Sequence, residues 1–185
     1  MGGSIYKTIN TGIDWEKIYS YSDPYKTFSD LHFSSDSIGY GLVKQQSYGY
    51  SGAVIKTIDS GETWIVVDTS FNNPLYSCSF VTDDLGYVTD LEGNLFKTIN
   101  GGISWTFPTS KNLGGVTFIN FLSPYVGYGY KLDGKLIKTY DGGQNWIVII
   151  SDNTESLNSF FYNKSNQSIY IASNSGIYKC VCSNL

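Results

Sequence analysis

The chain has 185 residues, of which 15% are charged and 16% aromatic, and a formal net charge of −4. That is enough chain to bury a core, and it is too aromatic and too sparsely charged to remain disordered. All 12 basic residues are lysine. This excludes mechanisms that need a guanidinium fork on a carboxylate or phosphate, and without a lysine cluster nucleic-acid binding is not expected.

In chain order, two strands are expected first, at 5–10 and 15–21, flanking the turn KTINTGIDW that starts at Lys7. The opening MGGSIYKTINTG has neither a charged n-region nor an apolar h-region, so no signal peptide is read there. No apolar run is long enough to span a bilayer, and no membrane insertion is expected. The compartment stays open, an extracellular, periplasmic or virion surface included.

The next unit, 28–70, carries FSSDSIGYG from Phe33 and KTIDSGETW from Lys56. Unit 71–110 repeats both signatures as FVTDDLGYV from Phe80 and KTINGGISW from Lys97, and unit 111–151 as FLSPYVGYG from Phe121 and KTYDGGQNW from Lys138. Trp15, Trp64, Trp105 and Trp146 are separated by 49, 41 and 41 residues. A last partial unit, 152–185, has strands expected at 157–162, 168–173 and 177–181 and ends its repeat at GIYKC from Gly176. Within unit 71–110 the runs 76–81, 86–89, 94–99 and 105–108 are short, rich in β-branched and aromatic residues, and bounded by turn formers, which reads as four strands. No stretch has helical periodicity.

Four strands every 41 residues is the spacing of a propeller blade. The fold class predicted is therefore all-β, a small β-propeller of four-stranded antiparallel blades formed by residues 1–185 as a single domain. Counting the partial units 1–27 and 152–185 separately gives five blades. Joining them into one blade gives four. Unpaired terminal strands would also invite pairing with a second copy of the chain.

The repeated turns resemble the Asp-box, or BNR repeat, of pattern Ser/Thr-x-Asp-x-Gly-x-Ser/Thr-Trp. The matching residues are Asn10, Gly12 and Trp15; Asp59, Gly61 and Trp64; Asn100, Gly102 and Trp105; and Asp141, Gly143 and Trp146. Over nearly the whole chain the repeats are most similar to propellers of the photosystem II assembly and stability factor type. Sialidases, sortilin-type receptors and xyloglucan-cleaving glycosidases carry the same turn. The resemblance implies an interaction or assembly role.

The box itself reads as structural. Asp or Asn accepts backbone N–H bonds across the turn, Gly takes positive φ, and the Trp is expected against the blade interior. Two of the four boxes carry Asn, which neither serves as a carboxylate acid or base nor supplies the charge a hard cation wants. No metal and no cofactor are expected. The lysines Lys7, Lys56, Lys97, Lys138 and Lys179 recur at one repeat position and are expected to pack their stems with the heads in water.

The ligand face is expected on the opposite rim, where second strands turn into third strands and blades join. Eight extra residues lengthen the first complete unit there, in the segment 44–52. It supplies Gln45, Gln46, Tyr48 and Tyr50, and the blade junctions add Tyr21, Tyr25 and Phe71, with Tyr19, Asn72 and Asn73 beside them. Amides and tyrosines suit a protein or glycan partner. A structural part of a larger assembly is a second function class. A glycoside hydrolase is a third, with Asp30, Asp83, Asp90 and Glu92 as carboxylates but no motif that selects a pair. A sialidase is excluded for want of arginine. His32, the single histidine, is expected on an innermost strand as a satisfied polar residue. Cys78, Cys180 and Cys182 are expected as free thiols.

Overall fold

The computed structural model describes residues 2–46, 51–107, 113–150, 157–163, 168–173 and 176–181. They form 16 strands in five antiparallel sheets, with no helix among the described residues. The first sheet pairs β1 (Ser4–Lys7) with β2 (Glu16–Ser20). The second runs in the order β3 (Lys26–Phe33), β4 (Gly39–Gln45), β5 (Ser51–Thr57), β6 (Ile65–Phe71). The third comprises β7 (Leu75–Phe80), β8 (Gly86–Asp90) and β9 (Leu95–Thr98), with a single bridge from Lys97 to Thr106 where its outer strand begins. The fourth is β10 (Val116–Phe121), β11 (Gly127–Lys131), β12 (Leu136–Thr139) and β13 (Ile147–Ile150). The fifth is β14 (Leu157–Asn163), β15 (Ser168–Ser173) and β16 (Gly176–Val181). Sequential, short-looped antiparallel sheets of this kind are the blades of a β-propeller.

The eight extra residues of the second unit do not all go into a loop. They lengthen β4 and β5 to seven residues each, with Gln45 paired to Ser51.

The second, third and fourth sheets are apolar on both sides because each stands between two others. Four clusters fill the gaps between consecutive sheets. Ile5 meets Val43, Ile55 and Trp64; Tyr40, Leu42, Val54 and Phe71 meet Leu75, Cys78, Phe80 and Val88; Tyr87 and Leu95 meet Val116, Ile119, Phe121 and Ile137; Tyr128 and Leu136 meet Ile169 and Ile171. Side chains alternate along a strand, so adjacent residues of one strand serve different interfaces. Val54 faces the third sheet while Ile55 faces the first.

The recurring Gly-Tyr of the second strand and Phe of the first explain one another across these gaps. The Tyr40 ring lies flat on Phe80 of the next sheet at 3.5 Å between centroids, and Tyr87 lies on Phe121 at 3.6 Å. Each hydroxyl donates to a backbone carbonyl three residues beyond that Phe, Asp83 and Pro124 respectively. Burial pushes the Tyr87 phenol up to about 12 and the Tyr40 phenol higher still, with Asp83 next in effect. Glycine precedes the tyrosine because a Cβ at Gly86 or Gly127 would sit 2.3 or 2.7 Å from Phe80 or Phe121.

The repeated lysines depart from the expectation in part: Lys138 is buried, Lys7, Lys56 and Lys97 are half-buried, and Lys179 is exposed. Lys56, Lys97, Lys138 and Lys179 stand over the rings of Tyr40, Tyr87, Tyr128 and Tyr170, 5.0 to 5.7 Å from the centroids, in cation–π range. Lys138 is only 7% exposed. The register dictates this, since the strands pair Tyr40 with Lys56, Tyr87 with Lys97, Tyr128 with Lys138 and Tyr170 with Lys179. The heads then reach the next sheet: Lys7 pairs with Glu62, and Lys56 Nζ lies against Gly101.

Candidate functional site

The Thr-x-Asp/Asn-x-Gly turns adopt one geometry four times. Thr57 Oγ1 donates to Asp59 Oδ1 at 2.7 Å and accepts from the Gly61 amide at 2.9 Å. Asp59 Oδ1 also accepts from the Thr63 amide at 2.9 Å, and Trp64 Nε1 donates to the Gly61 carbonyl at 3.0 Å. The same bonds recur around Asn10, Asn100 and Asp141. The glycine is required by its φ of 87 to 89° at Gly12, Gly61, Gly102 and Gly143.

The fourth residue after Asp/Asn closes the turn, and its identity follows that of its partner. Asp59 and Asp141 offer only acceptors and meet donors, the Thr63 hydroxyl at 2.6 Å and the Asn145 amide at 2.8 Å. Asn10 and Asn100 have an NH2 to give and meet acceptors, the Asp14 carboxylate at 2.9 Å and the Ser104 hydroxyl at 2.9 Å. No turn sets carboxylate against carboxylate. The Thr63 hydroxyl first, then the Thr63 amide and Thr57 hydroxyl, hold Asp59 at about 2. The Asn145 amide group holds Asp141 below the usual carboxylate range. Every acceptor that defines the turn is thus used within it.

The tryptophans depart from expectation at one end. Trp64 is buried against Phe33 and the first sheet, Trp105 packs on Phe71 and Phe80, and Trp146 on Phe121. Trp15 is 61% exposed. Each box packs toward the preceding sheet, as Gly61 does on Ile18 and Gly143 on Leu95, whereas Trp15 belongs to the first of the described sheets.

On the opposite rim, two clefts open at equivalent repeat positions. The first, about 250 Å³, lies between the first two sheets and is lined by Tyr21, Lys26, Val43, Gln45, Val66 and neighbours. The second, about 300 Å³, lies between the second and third sheets. Val43, Ala53 and Val66 of the first correspond by repeat position to Asp90, Asn94 and Phe107 of the second. The expected ligand-face residues divide accordingly. Tyr21 and Gln45 line the first cleft and Phe71 the second. Tyr25 and Gln46 are exposed next to the first cleft, joined by the Gln46 amide donating to the Tyr25 carbonyl. Tyr48 and Tyr50 lie outside the described residues.

The second cleft contains residues that pattern reading passed over. Phe96 and Phe107 extend its aromatic wall, with Phe71 on Phe96 at 5.0 Å and Phe96 on Phe107 at 4.7 Å. The available signal was Phe107, which stands two residues after its Trp where sister units have Val66 and Val148. At its base Asp90 is 2% exposed. Its carboxylate accepts from the Glu92 and Asn94 amides at 3.0 and 2.9 Å and from the side chains of Asn73 and Asn94 at 3.0 and 2.8 Å. Tying both NH2 groups to Asp90 turns the amide oxygens away from it.

Nearer the axis, His32 Nε2 lies 3.0 Å from the Phe80 carbonyl, and His32 and Asn120 line a cavity of about 240 Å³. Cys78 is a free, buried thiol; burial and then Asp30 raise its pKa. Among the described residues no three metal-ligating side chains cluster.

No protein-family model matches the chain, and no curated protein matches it in sequence. Solved structures do. YCF48 bound to D1 peptide is 18% identical with a TM-score of 0.66, over 86% of this chain and 53% of that one. YCF48 from Cyanidioschyzon merolae is 20% identical with a TM-score of 0.65, over 86% and 54%. The GH74 enzyme of Niastella koreensis is 19% identical with a TM-score of 0.76, over 98% and 33%. The chain spans about half the length of the YCF48 structures and a third of the GH74 enzyme. At these identities the likeness establishes the β-propeller fold alone.

Proposed function

We propose that the chain is a non-enzymatic binding propeller, working as one domain over residues 1–185, and that it holds an extended segment of a partner protein on the face opposite its box turns. The observation that carries this is the pair of adjacent, repeat-related clefts, apolar in their walls and edged with amides, on a single face. Apolar concavities with a few fixed polar groups are the usual form of a recognition site, and aromatic residues are enriched where protein surfaces meet. Two such clefts side by side suit successive side chains of an extended chain. That YCF48 has been solved with a peptide bound supports the same partner class.

Three of the four candidate carboxylates are engaged within the fold, which favours binding over hydrolysis. Asp90 has four donors. Asp30 accepts from the Ser77 hydroxyl and from the Leu31 and Cys78 amides, and Asp83 from the Ser34 hydroxyl. A general acid or nucleophile needs an uncommitted carboxyl facing substrate. A glycan is the second partner class, favoured by the 51% exposed ring of Phe107 beside Asn72 and Asn73.

Immobilised arrays of extended peptides and of glycans, probed with the protein and with Phe107→Ala, test the proposal. Binding to peptides that weakens at least tenfold in the variant supports it. Binding to glycans alone, or cleavage of them, overturns it.

A further inference from the structure

The two clefts of the binding face share a repeat position but not a charge. The first is lined by Val43, Ala53 and Val66, with Lys26 at its edge, the Lys26 Nζ lying 5.3 Å from the centroid of the Tyr21 ring. The second has Asp90, Asn94 and Phe107 at the matching positions. Asp90 is 2% exposed, and its four donors, the Glu92 and Asn94 backbone amides and the Asn73 and Asn94 side chains, are all neutral. Among the described residues no lysine forms an ion pair with it, the ion pairs there being Lys7 with Glu62 and Lys135 with Asp133. The negative charge is thus held in place without being neutralised, at a depth where water and salt screen it poorly.

We infer that the second cleft takes a basic side chain, arginine or lysine, of the partner segment. This rests on that cleft being the recognition site proposed above, and it names the chemistry the site selects. Asn73 and Asn94 both donate their NH2 groups to Asp90 Oδ2, at 3.0 and 2.8 Å. Their carbonyl oxygens are left as acceptors for an incoming N–H, and an amide that donates to an anion accepts more strongly. The Asn94 amide also lies 3.4 Å from Glu92 Oε2, so a second, exposed carboxylate stands beside the first. The walls are aromatic rings set at angles to one another. Phe71 meets Phe96 at 84° and Trp105 at 66°, and Phe96 meets Phe107 at 43°. Ring faces attract cations, as the chain's own lysines show over Tyr40 and Tyr87. A carboxylate or phosphate would meet the uncompensated charge of Asp90. A quaternary ammonium would leave the amide oxygens without a donor. A guanidinium or primary ammonium uses both the rings and the oxygens. The first cleft, with Val43 in place of Asp90 and Lys26 at its edge, has no such preference.

The test uses single capped residues, the N-acetyl methylamides of arginine, lysine, citrulline and norleucine, titrated into the isotope-labelled chain. Binding is read from the NMR signals of the Asn73 and Asn94 side chains. Citrulline has the shape of arginine without its charge. The arginine and lysine probes are expected to bind about tenfold more tightly than citrulline and norleucine. That lead is expected to vanish in Asp90→Asn, verified as folded by circular dichroism. Phe107→Ala changes an exposed ring outside the core and is expected to weaken the arginine probe with Asp90 intact, which keeps a second variant in hand should Asp90→Asn not fold. Equal affinity for arginine and citrulline, Asn73 and Asn94 signals that do not move with arginine, a lead unchanged in folded Asp90→Asn, or arginine affinity unchanged in Phe107→Ala overturns the inference. The two readings fail separately. Peptides captured on the array without an arginine lead over citrulline overturn this inference alone, and an arginine lead without captured peptides supports the cation site while overturning the extended segment.

Discussion

Two buried threonines of the third sheet should respond to the same substitution in opposite directions. Thr89 is fully buried on β8, on the same side as Tyr87 and therefore toward the fourth sheet. Among the described residues its Oγ1 has no hydrogen-bond partner. The sister units have Leu42 and Tyr130 at that position. A buried hydroxyl left unpaired costs about 1–3 kcal/mol, and Val matches Thr in shape. Thr89→Val should therefore stabilise by about 1–2 kcal/mol, raising Tm by about 2–8 °C for a chain of this size. Thr98 is 1% exposed, but its hydroxyl donates to Asn100 Oδ1 and accepts from the buried Gly102 amide at 3.0 Å. Thr98→Val strands that amide and should destabilise by about 1–3 kcal/mol. Calorimetry or urea unfolding of both variants decides the matter. A Thr89→Val protein that melts lower than wild type would refute the reasoning, because the hydroxyl would then be making a bond.

The remaining predictions concern the turns and their neighbours. Asp59, held at about 2 against 3.8 when unfolded, contributes stability that is present above pH 4 and lost as pH falls toward 2. In acid titrations of stability, Asp59→Asn should lose part of this slope, and an unchanged profile would contradict it. Asn10→Asp sets a carboxylate against Asp14 and removes an NH2 donor, so it should destabilise at pH 7 by about 1–2 kcal/mol. Asn100→Asp should be milder because the Ser104 hydroxyl can turn to donate, and paired melts compare them. Tyr87 ionises at about 12 against 10.0 when unfolded, so its contribution is full below pH 10 and declines as pH rises toward 12. Following phenolate absorbance together with unfolding should show it ionising only late, and Tyr87→Phe should remove that part of the alkaline loss.

Much of this was legible because the repeat compares the chain with itself. The four KTxxxGxxW turns fixed the outer strands, and the Gly-Tyr pairs the second strands; β15, expected at 168–173, is found as Ser168–Ser173. What escaped were features that depend on the neighbouring sheet rather than on the unit. The exposure of Trp15 depends on what lies beside its sheet, which a motif shared with its sisters cannot reveal. The lysines lie over tyrosines because of strand register, which pairs residues 9 to 16 apart. The second cleft escaped because Phe96 and Phe107 read as ordinary strand residues until the turn at Asp90 is placed beside them. The extra residues of the second unit looked like a loop since nothing in their composition separates a longer hairpin from a longer turn.

On the proposed reading the two rims divide the labour, with boxes that build and clefts that bind. It is tested most directly by measuring the affinity of one array-selected peptide for three folded proteins: wild type, Asp59→Asn and Phe107→Ala. Affinity retained in Asp59→Asn and reduced at least tenfold in Phe107→Ala is the predicted result. Affinity lost in Asp59→Asn and retained in Phe107→Ala would contradict it.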